Sequence, residues 1–234
     1  MPQGILLGAD ITQEWILPWW WRHYSQYNHL PVAFVDFGLS FPMKKWCLER
    51  GELIPLRVCD FAAEKPDMDE GLVRQFEADF GSHFWNARNV WFKKPLACLQ
   101  SPFETTLWLD VDCEVRGSLS SLFTLPGLAM AVDAIAPPRP YLTYNSGVML
   151  FRRPHLFVEW AAAAHEKSAL FRGDQELLSS LIAETHYPIT LLDPLYNWSR
   201  MLGECDAAQI LHWHGENGKK VIRQELSSWA GLEI

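Results

Sequence analysis

Two periods of hydrophobicity alternate along this chain. Short apolar runs of strand length close on an acidic or amide residue: 4–9 before Asp10, 105–109 before Asp110, 128–132 before Asp133, and 189–192 before Asp193. Runs at 31–37, 53–58, 144–151 and 209–214 have the same length and predict further strands. Between them apolar residues recur every three to four positions, the spacing of a half-buried helix. One such stretch carries Trp15, Ile16, Trp19, Trp20 and His23, with Thr12 as the expected N-cap and Pro18 tightening the first turns. Another carries Val90, Trp91, Leu96 and Leu99 and is interrupted by Pro95. A third, with Leu177, Leu178, Leu181 and Ile182, starts at Asp174, read as its N-cap. Residues 60–82 are polar and loop-like, with a short helix at 70–79. Strands alternating with helices predict one α/β domain over residues 1–234, with a mixed, mostly parallel central sheet flanked by helices.

Composition narrows the class. A chain of 234 residues, 49% hydrophobic and 21% charged, can bury a sizeable core. Its net charge of −8, with no basic cluster longer than a pair, argues against a nucleic-acid partner. No apolar run approaches the ~20 residues of a transmembrane helix, and no signal peptide is visible. Five cysteines without a Cys-x-x-Cys pair read as reduced, mostly buried thiols of a cytoplasmic protein. Asn197-Trp198-Ser199 matches a glycosylation sequon that means little without secretion. Most of the twelve tryptophans read as core, but three in a row, Trp19-Trp20-Trp21, cannot all face one core from a helix. A few of the tryptophans could instead line a sugar-stacking groove.

Chemistry concentrates at the strand ends. Asp110 and Asp112 share one face where an apolar strand leaves the core. Two like charges there call for a cation, and a divalent metal is the usual one. Asp67 and Asp69 have the same spacing but no strand to aim them. Ligands of open α/β sheets sit beyond the carboxyl ends of the strands, where Asp10, Asp110, Asp112, Asp133, Asn145 and His212 accumulate. Two carboxylates and an imidazole suit an octahedral metal, and the nitrogen favours manganese over magnesium.

Four ordered motifs then resemble glycosyltransferase family 8, of the Rossmann-like GT-A fold, with fungal mannosyltransferases as a second likeness. Leu107-Trp108-Leu109-Asp110-Val111-Asp112 is similar to the family's Asp-x-Asp strand. Tyr144-Asn145-Ser146-Gly147-Val148 is similar to its Asn-(Ser/Ala)-Gly-Val strand, and Gly173-Asp174-Gln175 to its Gly-Asp-Gln helix start. His212-Trp213-His214-Gly215 resembles its late His-x-x-Gly. The family's Lys-Pro-Trp is replaced by Lys219-Lys220-Val221, and its upstream basic pair is matched only loosely by Lys93-Lys94. The resemblance implies a metal, Mn2+ with Mg2+ as the alternative, held by Asp110, Asp112 and His212. It implies a nucleotide-sugar donor, foremost a UDP-hexose, contacted by Ala9, Asp10, Lys94, Asp133, Asn145 and Lys219. Asp174 and Gln175 are the expected catalytic residues of a sugar transfer with retention of configuration. A glycan or lipid-linked acceptor is implied, with work in the cytoplasm or at the inner membrane face. A nucleotidyltransferase, a nucleotide-sugar hydrolase and a non-catalytic sugar-nucleotide-binding subunit stay open as other readings.

Overall fold

A computed structural model describes residues 3–56, 58, 61–81 and 84–229. The strands are β1 (Gln3–Ala9), β2 (Val32–Asp36), β3 (Glu52–Pro55), β4 (Thr105–Leu109) and β5 (Cys113–Val115). They continue as β6 (Leu128–Val132), β7 (Tyr144–Phe151), β8 (Ile189–Leu191), β9 (Trp198–Ser199) and β10 (Ile210–His212). The helices are α1 (Leu17–Tyr27), α2 (Phe41–Leu48), α3 (Glu70–Phe80) and α4 (Phe84–Phe92). After them come α5 (Lys94–Leu99), α6 (Leu156–Glu166), α7 (Asp174–Thr185) and α8 (Gly215–Ser228).

Seven strands form the central sheet in the order β3-β2-β1-β4-β7-β6-β8. Only β7 runs against the rest: it pairs antiparallel with both β4 and β6. The carboxyl ends of β1, β4 and β6 therefore meet the start of β7 along one edge, and that edge carries the chemistry. A second sheet, β5-β10-β9, pairs β5 antiparallel with β10, opposing Cys113 to His212. This small sheet brings the late histidine to the end of β4.

Strands buried on both faces read as continuous apolar runs, which is why β1 and β4 are so easily seen in the sequence. Ile5, Leu7, Leu107, Leu109 and Leu150 face one core, completed by α1, α2 and α8. Leu6, Trp108, Met130, Met149 and Phe151 face the other, completed by α4 to α7. Trp19 and Trp20 are fully buried and Trp21 partly so, all in the first core. Helix α1 is covered on more than one side: Trp21 packs edge-on against Trp46 of α2, while Trp19 donates to Glu225 of α8 (2.7 Å). The triple tryptophan is core.

Several boundaries differ from expectation. Thr12 caps no helix; its N–H and hydroxyl both donate to Asp10 Oδ1, and α1 begins at Leu17 with Pro18 in its first turn, where the missing N–H costs nothing. The stretch at 86–99 is two helices, with Pro95 starting α5 for the same reason. Asp174 is not the cap of α7 but its first helical residue, after Gly173. Cys47, Cys98, Cys113 and Cys205 are free thiols; Cys59 lies outside the described residues. No described helix is long and apolar enough to cross a membrane.

Candidate functional site

Asp110 leaves β4 into a cationic setting. Lys94, in the first turn of α5, sits 3.0 Å from Asp110 Oδ1 and 3.3 Å from Asp174 Oδ2, and is only 4% exposed. Its Nζ also donates to Ser146 Oγ (3.1 Å), which in turn donates to Asp174 Oδ2 (2.9 Å). Trp108 Nε1 donates to Asp110 Oδ1 (2.7 Å), as two residues on one strand face can. Burial opposes the ammonium charge, yet the two carboxylates raise the Lys94 pKa above 10.5. Asp174 is shifted upward because its burial outweighs the pull of Lys94. The missing cap of α7 is thus explained: the Asp174 carboxylate faces a buried ammonium across the sheet edge, not its own helix.

Asp112, two residues on, meets the imidazole of His212. Its Oδ1 lies 3.3 Å from His212 Nε2, and Asp110 Oδ2 lies 4.0 Å from the same nitrogen. Burial pushes the Asp112 pKa up, but the facing imidazole holds it below 3.8; His212 is raised above 6.5 by Asp112 against its own burial. Asp112, Cys113 and His212 place one potential ligand atom each within 4.8 Å of one another. Cys113 was not among the expected ligands; strand alternation alone assigns it to the opposite face from Asp112.

The glycine of Asn-Ser-Gly makes room for that imidazole. A Cβ on Gly147 would lie 2.2 Å from His212 Cε1. Asn145 is buried with its Oδ1 taken by the Gly147 N–H (2.9 Å) and by Asn197 Nδ2 (3.0 Å). Asn197, seen in sequence only as a sequon, also faces His212 Nδ1 through its Oδ1 (3.1 Å). His214 lies beside His212, ring centroids 4.7 Å apart, but bonds Ser199 Oγ (2.8 Å), and burial followed by the His212 charge lowers its pKa to about 4.

Other expected residues arrive at the same edge in different states. Gln175 bridges two strands, accepting the Ser146 N–H at Oε1 (3.1 Å) and donating from Nε2 to Asp133 Oδ2 (2.6 Å). Lys219, in α8, is half-buried and its charge helps to lower the Asp112 pKa. Asp10 uses Oδ1 to close the turn into α1, and the Ala9 carbonyl accepts from the Phe37 N–H. Asp193, at the turn before Asn197, accepts the Leu195 N–H (2.9 Å).

No family model matches the sequence, and no curated protein does either. Solved structures do. The galactosyltransferase LgtC, determined with donor and acceptor sugar analogues, superposes over 97% of this chain and 99% of its own at a TM-score of 0.62 and 14% identity. Mouse xyloside xylosyltransferase 1 in its apo form covers 91% of this chain and 97% of its own (TM-score 0.55, 18% identity). The apo glycosyltransferase GlyE of Streptococcus pneumoniae TIGR4 covers 98% of this chain, which spans 64% of GlyE (TM-score 0.61, 16% identity). The fold is GT-A. At these identities the likeness extends to architecture, and the chemistry is carried by the side chains described above.

Those side chains fit a divalent cation. Ligands at right angles around an ion with bonds of ~2.1 Å lie on the order of 3 Å apart. The oxygens of Asp112 and Asp110, 3.3 and 4.0 Å from His212 Nε2, are close to that spacing. Hard carboxylate oxygens with one imidazole nitrogen are the donor set of manganese or magnesium.

Proposed function

We propose that this chain is a metal-dependent glycosyltransferase that moves a hexose from a nucleotide-diphosphate sugar, foremost a UDP-hexose, to a glycan or lipid-linked acceptor, with retention of configuration. One observation carries the reading: Asp110, Asp112 and His212, from sequence positions a hundred residues apart, converge at the strand-end edge of a GT-A sheet. In this reading they hold manganese, with magnesium as the alternative, and the ion stabilises charge that grows on the leaving diphosphate. Lys219, already acting on Asp112, adds a second positive charge on that side. Gln175 and Asp174 stand at the first turn of α7, where the sugar would lie against Asn145 and Asp133. The amide oxygen of Gln175 is the group to face an oxocarbenium-like carbon. Lys94 holds Asp110 and Asp174 apart, and Ala9 and Asp10 line the neighbouring strand end for the base. With a lipid-linked acceptor, the protein would work on the cytoplasmic face of the inner membrane.

Calorimetric titration with UDP and other nucleoside diphosphates, with and without manganese, tests this on the wild type and on Asp112→Asn. The expected result is metal-dependent binding that the variant loses. Metal-independent or absent nucleotide binding would overturn it. Sugar-nucleotide consumption without any acceptor would instead mark a hydrolase, and pyrophosphate release a nucleotidyltransferase. Tight donor binding without turnover across an acceptor panel would mark a non-catalytic subunit.

A further inference from the structure

Asn197 is 9% exposed and follows the short turn Pro194–Tyr196 into β9, which pairs in parallel with β10 so that Ser199 opposes His212. Its hydrogen bonds form a chain whose polarity is set by a backbone group. The Gly147 N–H can only donate, so the Asn145 atom it meets at 2.9 Å is an oxygen. That same oxygen lies 3.0 Å from the Asn197 side chain, so the Asn197 atom facing it is the NH2 group. The other Asn197 atom is therefore the carbonyl oxygen, which accepts and does not donate. It lies 3.1 Å from His212 Nδ1, which must carry a hydrogen. The opposite ring nitrogen, Nε2, is the one aimed at Asp112 and Asp110.

We propose that Asn197 is a positioning residue that fixes His212 with its hydrogen on Nδ1, so that the Nε2 lone pair is presented to the divalent cation. Its use in catalysis rests on the metal-dependent reading above; the placement of the hydrogen is a property of the protein alone. Ligating histidines are commonly oriented by a partner on the second ring nitrogen. Here the partner is neutral, buried and itself anchored through Asn145 to the backbone of Gly147, the residue whose missing side chain admits the ring.

The test begins without metal. His212 Nε2 also faces the Asp112 carboxylate at 3.3 Å, an acceptor that would itself hold a hydrogen there, so the protein examined carries Asp112→Ala. Labelled with 15N-histidine, it is read by long-range 1H–15N correlation at alkaline pH, where the imidazole is neutral, and His212 is expected to show a protonated Nδ1 and an unprotonated Nε2. Adding Asn197→Leu removes the acceptor: the hydrogen should move toward Nε2, and in the otherwise wild-type protein manganese affinity should fall about 10- to 100-fold. Asn197→Asp keeps an acceptor toward His212 and should retain the Nδ1 hydrogen, so it decides the matter even if the leucine variant does not fold. A hydrogen on Nε2 with Asn197 intact would overturn the proposal, as would an Asn197→Leu protein with unchanged spectrum and metal affinity. If the expected spectra were found while the wild type bound no manganese, the metal reading would fail and the assignment of His212 would stand.

Discussion

Asp110 ends its strand against a lysine ammonium, whereas Asp112, two residues later, ends against an imidazole. The expected strand does not carry both carboxylates: β4 ends at Leu109, and Asp110-Val111-Asp112 is a turn into β5, closed by the Cys113 N–H on the Asp110 carbonyl (3.0 Å). Their counter-ions differ in kind. The ammonium of Lys94 is covalently tethered, buried and held charged by two carboxylates, so nothing small can replace it. The imidazole of His212 can exchange the proton on one nitrogen for a metal ion. A single Asp-x-Asp motif thus joins a permanent structural ion pair to an exchangeable one, and substitutions at its two ends measure different things.

Removing the permanent cation should have the largest effect. Lys94→Met leaves the buried Asp174 and the partly exposed Asp110 without their shared cation, with an expected loss of about 3 kcal/mol in denaturant unfolding, carried by Asp174. A loss below about 1 kcal/mol would mean that the two carboxylates find other partners and that the comparison is mistaken. At the exchangeable end the larger effect should fall on ligand. Asp112→Asn is expected to weaken manganese-dependent nucleotide binding on the order of 100-fold, which is about 2.7 kcal/mol. Its metal-free unfolding midpoint should lie below wild type at neutral pH, where the pairing with His212 is lost, and approach wild type as pH rises.

Gly147→Ala attacks the same end by crowding. The added methyl meets His212 Cε1, and overpacking of this kind costs about 1–3 kcal/mol. Manganese affinity should fall with it; an alanine variant with wild-type affinity would show that the ring has room to move. Gln175→Ala removes two hydrogen bonds at the edge, a loss of about 1 kcal/mol in stability. Nucleotide affinity should be retained while turnover drops, and a fall in both together would assign Gln175 to holding the sheet edge only.

The smallest effect separates the two ends by pH. The His212 pKa is raised from 6.5, so its pairing with Asp112 contributes stability that is complete below 6.5 and lost as pH rises through the raised value. The Asp112 pKa is lowered from 3.8, so its own share is present above 3.8 and lost only on acidification. Lys94, raised above 10.5, stays charged across the same alkaline window. Metal-free unfolding measured from neutral to alkaline pH should therefore weaken in the wild type and flatten in Asp112→Asn.

Local patterns and tertiary contacts divided the molecule between them. The strands and the alternation with helices depend on neighbours two to four residues away, and these were legible; the shared strand face expected for Asp110 and Asp112 was not found, because the two lie in the turn between β4 and β5. Pro18 and Pro95 were legible as punctuation, although each starts a helix and neither disturbs one. Asp174 was misjudged as a cap because a local rule was applied to a residue whose partner, Lys94, lies eighty positions earlier. Asn197 passed as a sequon because its two partners come from β7 and β10.

By itself the sequence determined which segments must be buried and that acidic residues stand where strands end, since side-chain direction repeats every two residues in a strand and every 3.6 in a helix. Only the tertiary structure decided which counter-ion each carboxylate meets and which ring nitrogen His212 presents. Those outcomes depend on segments near residues 94, 145, 174, 197 and 212 packing at one edge, and contacts between distant segments leave no period in the chain.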